Sequence, residues 1–155
     1  MEKKSVFGGL AILAILVSVS SAPLLGQAAK PRSLYDRLGG KPAITAVVDD
    51  FVARVAADGR INGFFATTAA NPQRLSAFKM QLVNQICEAS GGPCAYTGRD
   101  MKTAHRGLGV SNADFNALVE DLVSTLDKFK VGKTEKDQLL GALGPMKTEI
   151  GRAHV

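Results

Sequence analysis

Apolar side chains recur every three or four residues along most of the chain, which is the spacing of one face of an α-helix. The longest such run follows Ser111 and places Phe115, Leu118 and Leu122 on one face. No stretch alternates apolar and polar residues with a period of two for long enough to indicate a strand. The pattern therefore predicts an all-α fold with substantial helices over roughly 42–57, 71–90, 111–129 and 134–150.

Residues with strong preferences for helix ends mark where these helices begin and stop. Asn71 followed by Pro72 is a start signal, because asparagine caps free backbone N–H groups and proline is tolerated in the first turn. Ser111 with Asp114 three residues on resembles a capping box, and Thr134 is expected to cap the last helix. Pro145 lacks a backbone N–H, so it should kink that helix or end it early.

The stretch from Pro93 to Ser111 is expected to be nearly all loop. It contains glycines at 98, 107 and 109, and only Asp100 to His105 can form a helical turn or two. Short segments that run over a helical core often carry functional residues. This stretch is therefore the first place to look for a site.

The first 28 residues have the order of a secretory signal peptide. Two lysines precede the apolar run from Leu10 to Val17, and small residues then lead to a cleavage site at Gly26-Gln27-Ala28. A membrane-spanning helix needs about 20 apolar residues, and this run is shorter. We therefore expect a signal peptide over 1–28, a mature domain over 29–155, and a periplasmic or secreted protein. The alternative is an uncleaved membrane anchor, and either way membrane contact is expected only through this segment.

Cys87 and Cys94 flank Gly91-Gly92-Pro93, where the chain can turn back on itself. In an oxidising compartment two such cysteines can form a disulfide, and closing so short a loop stabilises a fold by about 2–3 kcal/mol. Two unpaired thiols are the other interpretation. The residues favour the disulfide only because of the export signal.

Composition narrows the possible chemistry. The 155 residues include 19 Lys and Arg against 14 Asp and Glu, and a net charge of +5 is too mild for binding nucleic acid through many phosphate contacts. Two histidines and two cysteines make a zinc site of His and Cys alone hard to assemble. The sequence also contains no recognisable nucleophile motif and no phosphate-binding glycine loop.

His105 is the residue of the loop-rich stretch best suited to bind a metal. The other histidine, His154, is next to the C-terminus, where chains commonly fray. A single histidine suffices for haem, because the porphyrin already supplies four nitrogen ligands. The residues alone leave His105 open between haem ligation and an ordinary surface or hydrogen-bonded histidine.

Several short motifs follow one another along the chain: Leu34-Tyr35-Asp36-Arg37-Leu38-Gly39-Gly40, Ala43-Ile44, Val47-Val48-Asp49-Asp50-Phe51, Phe64-Phe65, Gly91-Gly92-Pro93, Tyr96-Thr97-Gly98, Met101-Lys102-Thr103-Ala104-His105, and Gly107-Leu108-Gly109-Val110. This set, with Phe115 in the following helix, resembles the group 1 truncated haemoglobins from Ser33 to about Ile150. The resemblance implies a two-over-two helical sandwich that holds haem b, with His105 as the proximal ligand of its iron.

The same resemblance implies which other residues meet the haem. Phe65 matches the phenylalanine that packs against the porphyrin. Lys102 and Arg106 are close to His105 in sequence, so they are candidates for pairing with the haem propionates, and a solvent-facing position is the alternative for both. The implied haem contacts are Phe65, Leu75, Phe78, Lys79, Met101, Lys102, Phe115, Leu118 and Leu143.

The chain departs from the family pattern on the side of the haem where a gas would bind. Val52 stands where many members have a tyrosine that donates a hydrogen bond to bound oxygen, and valine has no donor. Lys79 is the one polar side chain expected on this side. Three interpretations of Lys79 stay open: a donor to the ligand, a sixth iron ligand when neutral, or a solvent-facing lysine.

The resemblance implies reversible binding of oxygen or another diatomic gas, such as nitric oxide or carbon monoxide, with oxygen transport as the associated role. A nitric oxide dioxygenase on the same scaffold is the alternative, and it would need an electron donor that the sequence does not identify. A helical interaction module that has lost haem is a third hypothesis, against which the retained His105 argues.

Overall fold

The computed structural model describes residues 31–151, and within this range every regular element is a helix. The predicted all-α class is therefore confirmed, whereas the signal peptide, the boundary after residue 28 and His154 lie outside the described residues. No helix between residues 31 and 151 has both the length and the hydropathy needed to cross a bilayer. In chain order the elements are α1 (Leu34–Arg37), α2 (Gly40–Ala57), a 3₁₀-helix (Asn62–Phe65), α3 (Ala66–Ala69), α4 (Pro72–Ala89), α5 (Met101–His105), α6 (Asn112–Lys128), α7 (Lys133–Leu143) and α8 (Met146–Gly151).

The predicted starts of α4 and α6 are confirmed. The side-chain oxygen of Asn71 accepts a hydrogen bond from the backbone N of Arg74 at 2.9 Å. The Ser111 hydroxyl accepts one from the backbone N of Asp114 at 3.2 Å, and the Asp114 carboxylate accepts one from the backbone N of Ser111 at 2.8 Å. This is the reciprocal pairing that defines a capping box.

The last predicted helix is partly wrong. Its cap is Gly132 and not Thr134, because α7 already begins at Lys133. Pro145 does interrupt the helix, as expected of a residue with no backbone N–H, and α8 starts directly after it.

Two short helices, α1 and α3, were not predicted. Ser33 and Asp36 form a capping box around α1, so a sequence signal for it did exist. The backbone N of Tyr35 donates to the carbonyl of Ser90 at 2.9 Å, and the Tyr35 hydroxyl accepts from the backbone N of Lys41 at 3.0 Å. Tyr35 thereby ties α1 both to the start of α2 and to the residue that follows α4.

The core lies where α2 packs against α4 and α6, and it extends to α7. Its members are largely the apolar positions whose spacing predicted the helices. Phe129 is an exception at 40 % exposed, because α6 ends one residue before it. The buried hydrophobic residues of the cluster are Ile44, Val47, Val48, Phe51, Val55, Ile61, Val83, Ile86, Cys87, Ala117, Leu122, Leu126 and Leu139.

Candidate functional site

His105 is the last residue of α5, a helix of only five residues. Asp100 caps this helix, and its Oδ1 accepts a hydrogen bond from the backbone N of Thr103 at 2.9 Å. That hydrogen bond is the main reason that the pKa of Asp100 lies below its usual value. The cap fixes where α5 begins and hence which way its last residue points.

The imidazole of His105 is half-buried and is oriented by its own helix. Its Nδ1 lies 2.8 Å from the carbonyl oxygen of Met101. A carbonyl oxygen can only accept a hydrogen bond, so Nδ1 must carry the proton. In the neutral ring the lone pair is then on Nε2, which makes no hydrogen bond to any other residue between 31 and 151. This is the arrangement in which metal-binding histidines are usually held.

The backbone leaves α5 abruptly after His105. Arg106 is extended, and Gly107 and Gly109 have φ angles of +75° and +67°, which side-chain-bearing residues rarely adopt. The glycines therefore let the chain turn away from the imidazole toward the start of α6.

The loop before α5 lies against the C-terminal half of α4. Cys94 forms a disulfide with Cys87 in the last turn of that helix. The predicted pairing is therefore confirmed, and α4 and the loop are covalently joined seven residues ahead of α5.

Polar side chains of α4 add two further contacts to the same loop and one to the first residue of α5. Glu88 Oε2 accepts from the backbone N of Tyr96 at 3.3 Å, and Gln81 Nε2 donates to Thr97 Oγ1 at 3.3 Å. Gln85 Nε2 lies 3.6 Å from Met101 Sδ. Helix α4 is thus joined by hydrogen bonds, a sulfur contact and a disulfide to the segment that leads to His105.

Apolar residues of the predicted site come together in part. The rings of Phe65 and Phe78 are 5.7 Å apart, a distance typical of packed aromatic pairs. Leu118 and Leu143 pack against the core, and Leu75 is half-buried on α4.

Phe115 takes part in a different contact. Its ring is half-buried, and the Lys147 ammonium lies 5.2 Å from the ring centre, within the range of a cation–π interaction. Lys102 and Arg106 are both exposed at the α5 surface.

Lys79 makes an ion pair with α2. Its Nζ is 2.8 Å from Asp49 Oδ1, and its side chain is 32 % exposed. Of the three interpretations of Lys79, this contact favours the solvent-facing one. Val52 is half-buried and packs against the core without offering a hydrogen-bond donor.

No pattern in the sequence indicated a role for Gln85. Its Nε2 lies 3.3 Å from Met146 Sδ as well as near Met101 Sδ, and α8 packs on α5. Gln85 therefore bridges α4, α5 and α8. A lone glutamine on a helix looks like an ordinary surface residue, and only the meeting of three distant elements reveals the contact.

Comparison with known proteins gives this arrangement a family. The profile of the bacterial-like globins matches residues 33–151. The chain is 38% identical to the group 1 truncated hemoglobin GlbN of Mycolicibacterium paratuberculosis over 122 residues, which cover 79% of this chain and 86% of that one. It is 35% identical to the group 1 truncated hemoglobin of Tetrahymena pyriformis over 102 residues, or 66% and 80% of the two chains.

Solved structures agree with the sequence matches. The truncated hemoglobin of Tetrahymena pyriformis in its Fe(III) form superposes with a TM-score of 0.69 at 28% identity, covering 77% of this chain and 97% of that one. The 2/2 hemoglobin of Synechococcus sp. PCC 7002, in the cyanomet state and with covalently attached heme, gives 0.70 at 30% identity, covering 77% and 98%.

The fold, the free ring nitrogen of His105 and these matches define a small haem protein of the two-over-two helical class. The chain belongs to the bacterial-like globin family and, within it, to the group 1 truncated haemoglobins. Its cofactor is haem, and it binds diatomic ligands there.

Proposed function

We propose that the protein binds a diatomic gas reversibly at a haem iron that His105 holds through Nε2. The observation that carries this proposal is the hydrogen bond between His105 Nδ1 and the Met101 carbonyl, which leaves the Nε2 lone pair available. Haem, when bound, supplies an iron atom with a further coordination position for the gas. Met101 has the positioning role, because its carbonyl fixes the tautomer and the ring direction.

The residues that the family resemblance assigns to the haem site suit an apolar macrocycle with charged edges. Phe65 and Phe78 form a packed aromatic pair, and Leu118 and Leu143 are partly buried apolar side chains against the core. Lys102 and Arg106 remain exposed, where a cation can pair with a propionate while staying in water. This pairing stays a prediction.

We infer that the side of the site facing α2 and α4 stabilises the gas poorly through hydrogen bonds. Val52 has no donor, Leu75 and Phe78 are apolar, and Lys79 is held by Asp49. A bound gas that develops negative charge, as oxygen does, gains from a donor, whereas carbon monoxide gains little. The expected preference is therefore for carbon monoxide over oxygen, relative to members that have a tyrosine at the position of Val52.

The role of His105 is tested by absorbance of the protein supplied with haem. His105→Ala should lose the Soret spectrum of the wild type, and added imidazole should restore it by replacing the missing ligand. His154→Ala is the matched control, since it removes the other histidine of the chain. An unchanged spectrum in His105→Ala would exclude this residue as the iron ligand.

The ligand preference is tested at Val52. Val52→Tyr introduces a donor, and a hydrogen bond worth about 1.4 kcal/mol would slow oxygen dissociation about tenfold in stopped-flow measurements. Val52→Phe adds the ring without the hydroxyl and should leave the rate near that of the wild type. Equal rates in the two variants would show that position 52 does not face the gas.

Oxidation of nitric oxide to nitrate on the same scaffold is the less favoured proposal. It requires oxygen to be held long enough to react, and the lack of a donor at Val52 works against this. Mixing the reduced, oxygen-saturated protein with nitric oxide would decide: rapid stoichiometric nitrate would support the enzyme, and its absence would remove it. Turnover would also need an electron donor from outside the described residues.

Export to the periplasm or the exterior is likewise a proposal. The N-terminal pattern supports it, and so does the disulfide, because disulfides persist mainly in oxidising compartments. The mass of the protein isolated from its host should match a chain that begins after Ala28. A mass that retains the first 28 residues would favour the membrane anchor.

A further inference from the structure

We propose that the Cys87–Cys94 disulfide is a positioning crosslink of the haem site, which holds the segment carrying His105 in place before haem binds. This inference rests on the proposed role of His105 as the iron ligand. The crosslink joins the last turn of α4 to the loop that leads into α5. Its two Cα atoms are 5.7 Å apart.

The α5 helix needs support from outside itself. It has five residues, and isolated helices shorter than about 12–15 residues are marginal in water. The Asp100 cap and the His105–Met101 contact both lie within the segment, so they cannot fix its position relative to the core. The contacts that can do so come from α4 and α8.

The noncovalent contacts from α4 are weak. The hydrogen bonds from Tyr96 N to Glu88 and from Gln81 to Thr97 are both 3.3 Å long and lie at the surface. The Gln85 contact to Met101 is to a sulfur at 3.6 Å. Exposed hydrogen bonds of this length are worth little each, even where the acceptor is a carboxylate as at Glu88, because water competes for the same groups. They tie the loop before α5 to α4 only weakly, and the packing of α8 acts on α5, beyond that loop.

The disulfide differs in that one of its ends is immobile. Cys87 is 0 % exposed and belongs to the core cluster, and Cys94 packs against the same cluster. Gly92 lies between them with no free space, since an added Cβ would be 2.5 Å from Tyr35 and 2.7 Å from Cys87 Sγ. The crosslink therefore restricts the movement of the loop relative to the core at Cys94, six residues before Asp100.

The consequence is a haem-free protein in which the imidazole is already near its working position. A segment that had to order itself when haem binds would lose conformational entropy at that step. The disulfide removes part of that cost, so it favours tight retention of haem as well as stability of the fold.

The first test compares amide hydrogen exchange in the haem-free protein. The variant is Cys87→Ala with Cys94→Ser, and the control is Val55→Ala, which opens the core in α2 away from the loop. Amides of residues 101–105 should exchange about tenfold faster in the cysteine variant, at denaturant concentrations where both variants are equally stable. Equal exchange in the two variants would overturn the proposal.

The second test measures how fast haem passes to an excess of a haem-scavenging apoglobin. The rate should rise about tenfold in the cysteine variant and stay within about twofold in Val55→Ala. A merely structural disulfide would give the same change in both variants. Haem retention in His105→Ala would instead count against the proposed function, while the exchange result would still decide whether the crosslink positions the segment.

Reduction of the wild-type protein gives the same comparison without any substitution, should the double variant fold poorly. A dithiol such as dithiothreitol gives two electrons and two protons to the disulfide, so that two thiols form and the dithiol closes to a cyclic disulfide. The gain of two hydrogens in mass verifies the step. Faster exchange over residues 101–105 on reduction supports the proposal, and unchanged exchange overturns it.

Discussion

Leu126 and His105 lie in regions that are held together in different ways. Leu126, in the 17-residue α6, is 1 % exposed and belongs to a core cluster that includes residues of α2, α4, α6 and α7. His105 ends a five-residue helix, where one ring nitrogen meets a backbone carbonyl and the other meets nothing between residues 31 and 151. The first region is defined by packing, and the second by caps, glycines and a crosslink.

The difference indicates that the packed core supplies most of the stability of this small globin, whereas a separate short segment carries the proposed binding residue. Burial of apolar surface is nondirectional and cooperative, so it produces a rigid core. The proposed role of His105 needs a free lone pair in a fixed direction, and its half-buried ring offers one at Nε2. Placing it on a short segment tethered to α4 meets both needs.

The largest expected effect is on the core side of this comparison. Leu126→Ala should lower the free energy of unfolding of the haem-free protein by about 3 kcal/mol, because it removes buried methyl groups and leaves a cavity. Leu108→Ala is the matched control in the His105 region, where the side chain is 45 % exposed and the loss should stay within about 0.5 kcal/mol. Urea unfolding measures both, and similar losses would mean that the two regions are packed alike.

The sequence was sufficient for the core region because helical periodicity and burial have the same cause. Val83, Ile86 and Leu122 are inward because an amphipathic helix buries its apolar face, and that face is visible in the residue order. Side-chain caps such as Asn71 and Ser111 were also predictable from the sequence, because the donor and the acceptor of each capping hydrogen bond are only three residues apart.

The site was less predictable because its contacts join residues that are distant in sequence. The residues alone singled out His105 but left its role open, and only the family resemblance implied that it is the iron ligand and which residues surround the haem. The Lys79–Asp49 pair spans 30 residues and the Gln85–Met146 contact spans 61, so no local pattern shows either. Gly132, the cap of α7, has no side chain to reveal it.

An intermediate effect on the free energy of unfolding is expected from a substitution of Asp121, a buried carboxyl group of α6. Asp121 is 8 % exposed, and its Oδ2 has no hydrogen-bond partner among the described residues. Burial is the main reason that its pKa is raised, and the negative charges of Asp58 and Glu120 raise it further. Arg60 and Arg54 act in the opposite direction. A raised pKa in the folded state means that folding binds the carboxyl proton more tightly than the unfolded chain does. Asp121 therefore supports the fold below its ordinary pKa and loses this contribution as the pH rises through the raised value.

Asp121→Asn should consequently stabilise the protein at pH 7 by about 1 kcal/mol, since asparagine has no charge to bury and can still donate a hydrogen bond. The gain should vanish near pH 3, where the wild-type carboxyl is protonated. Urea unfolding at pH 7, 5 and 3 measures this. Asp137→Asn, at an exposed ion pair with Lys133, serves as the control and should show no gain. A gain at Asp121 that did not change with pH would contradict the burial of its charge.

The smallest expected effect is confined to the His105 region. Asp100→Ala removes the cap of α5, so amides of residues 101–105 should exchange about fivefold faster while the urea midpoint of the whole protein stays unchanged. Asp100→Asn keeps an acceptor for the Thr103 N–H and should retain most of the protection.

Because the hydrogen bond from the Thr103 N–H lowers the pKa of Asp100, the charged cap contributes above the ordinary carboxyl pKa and is lost as the pH falls through the lowered value. The difference between wild type and Asp100→Ala should therefore shrink only at strongly acidic pH. A shift of the global midpoint would show instead that α5 unfolds together with the core, and the two regions would then be one cooperative unit.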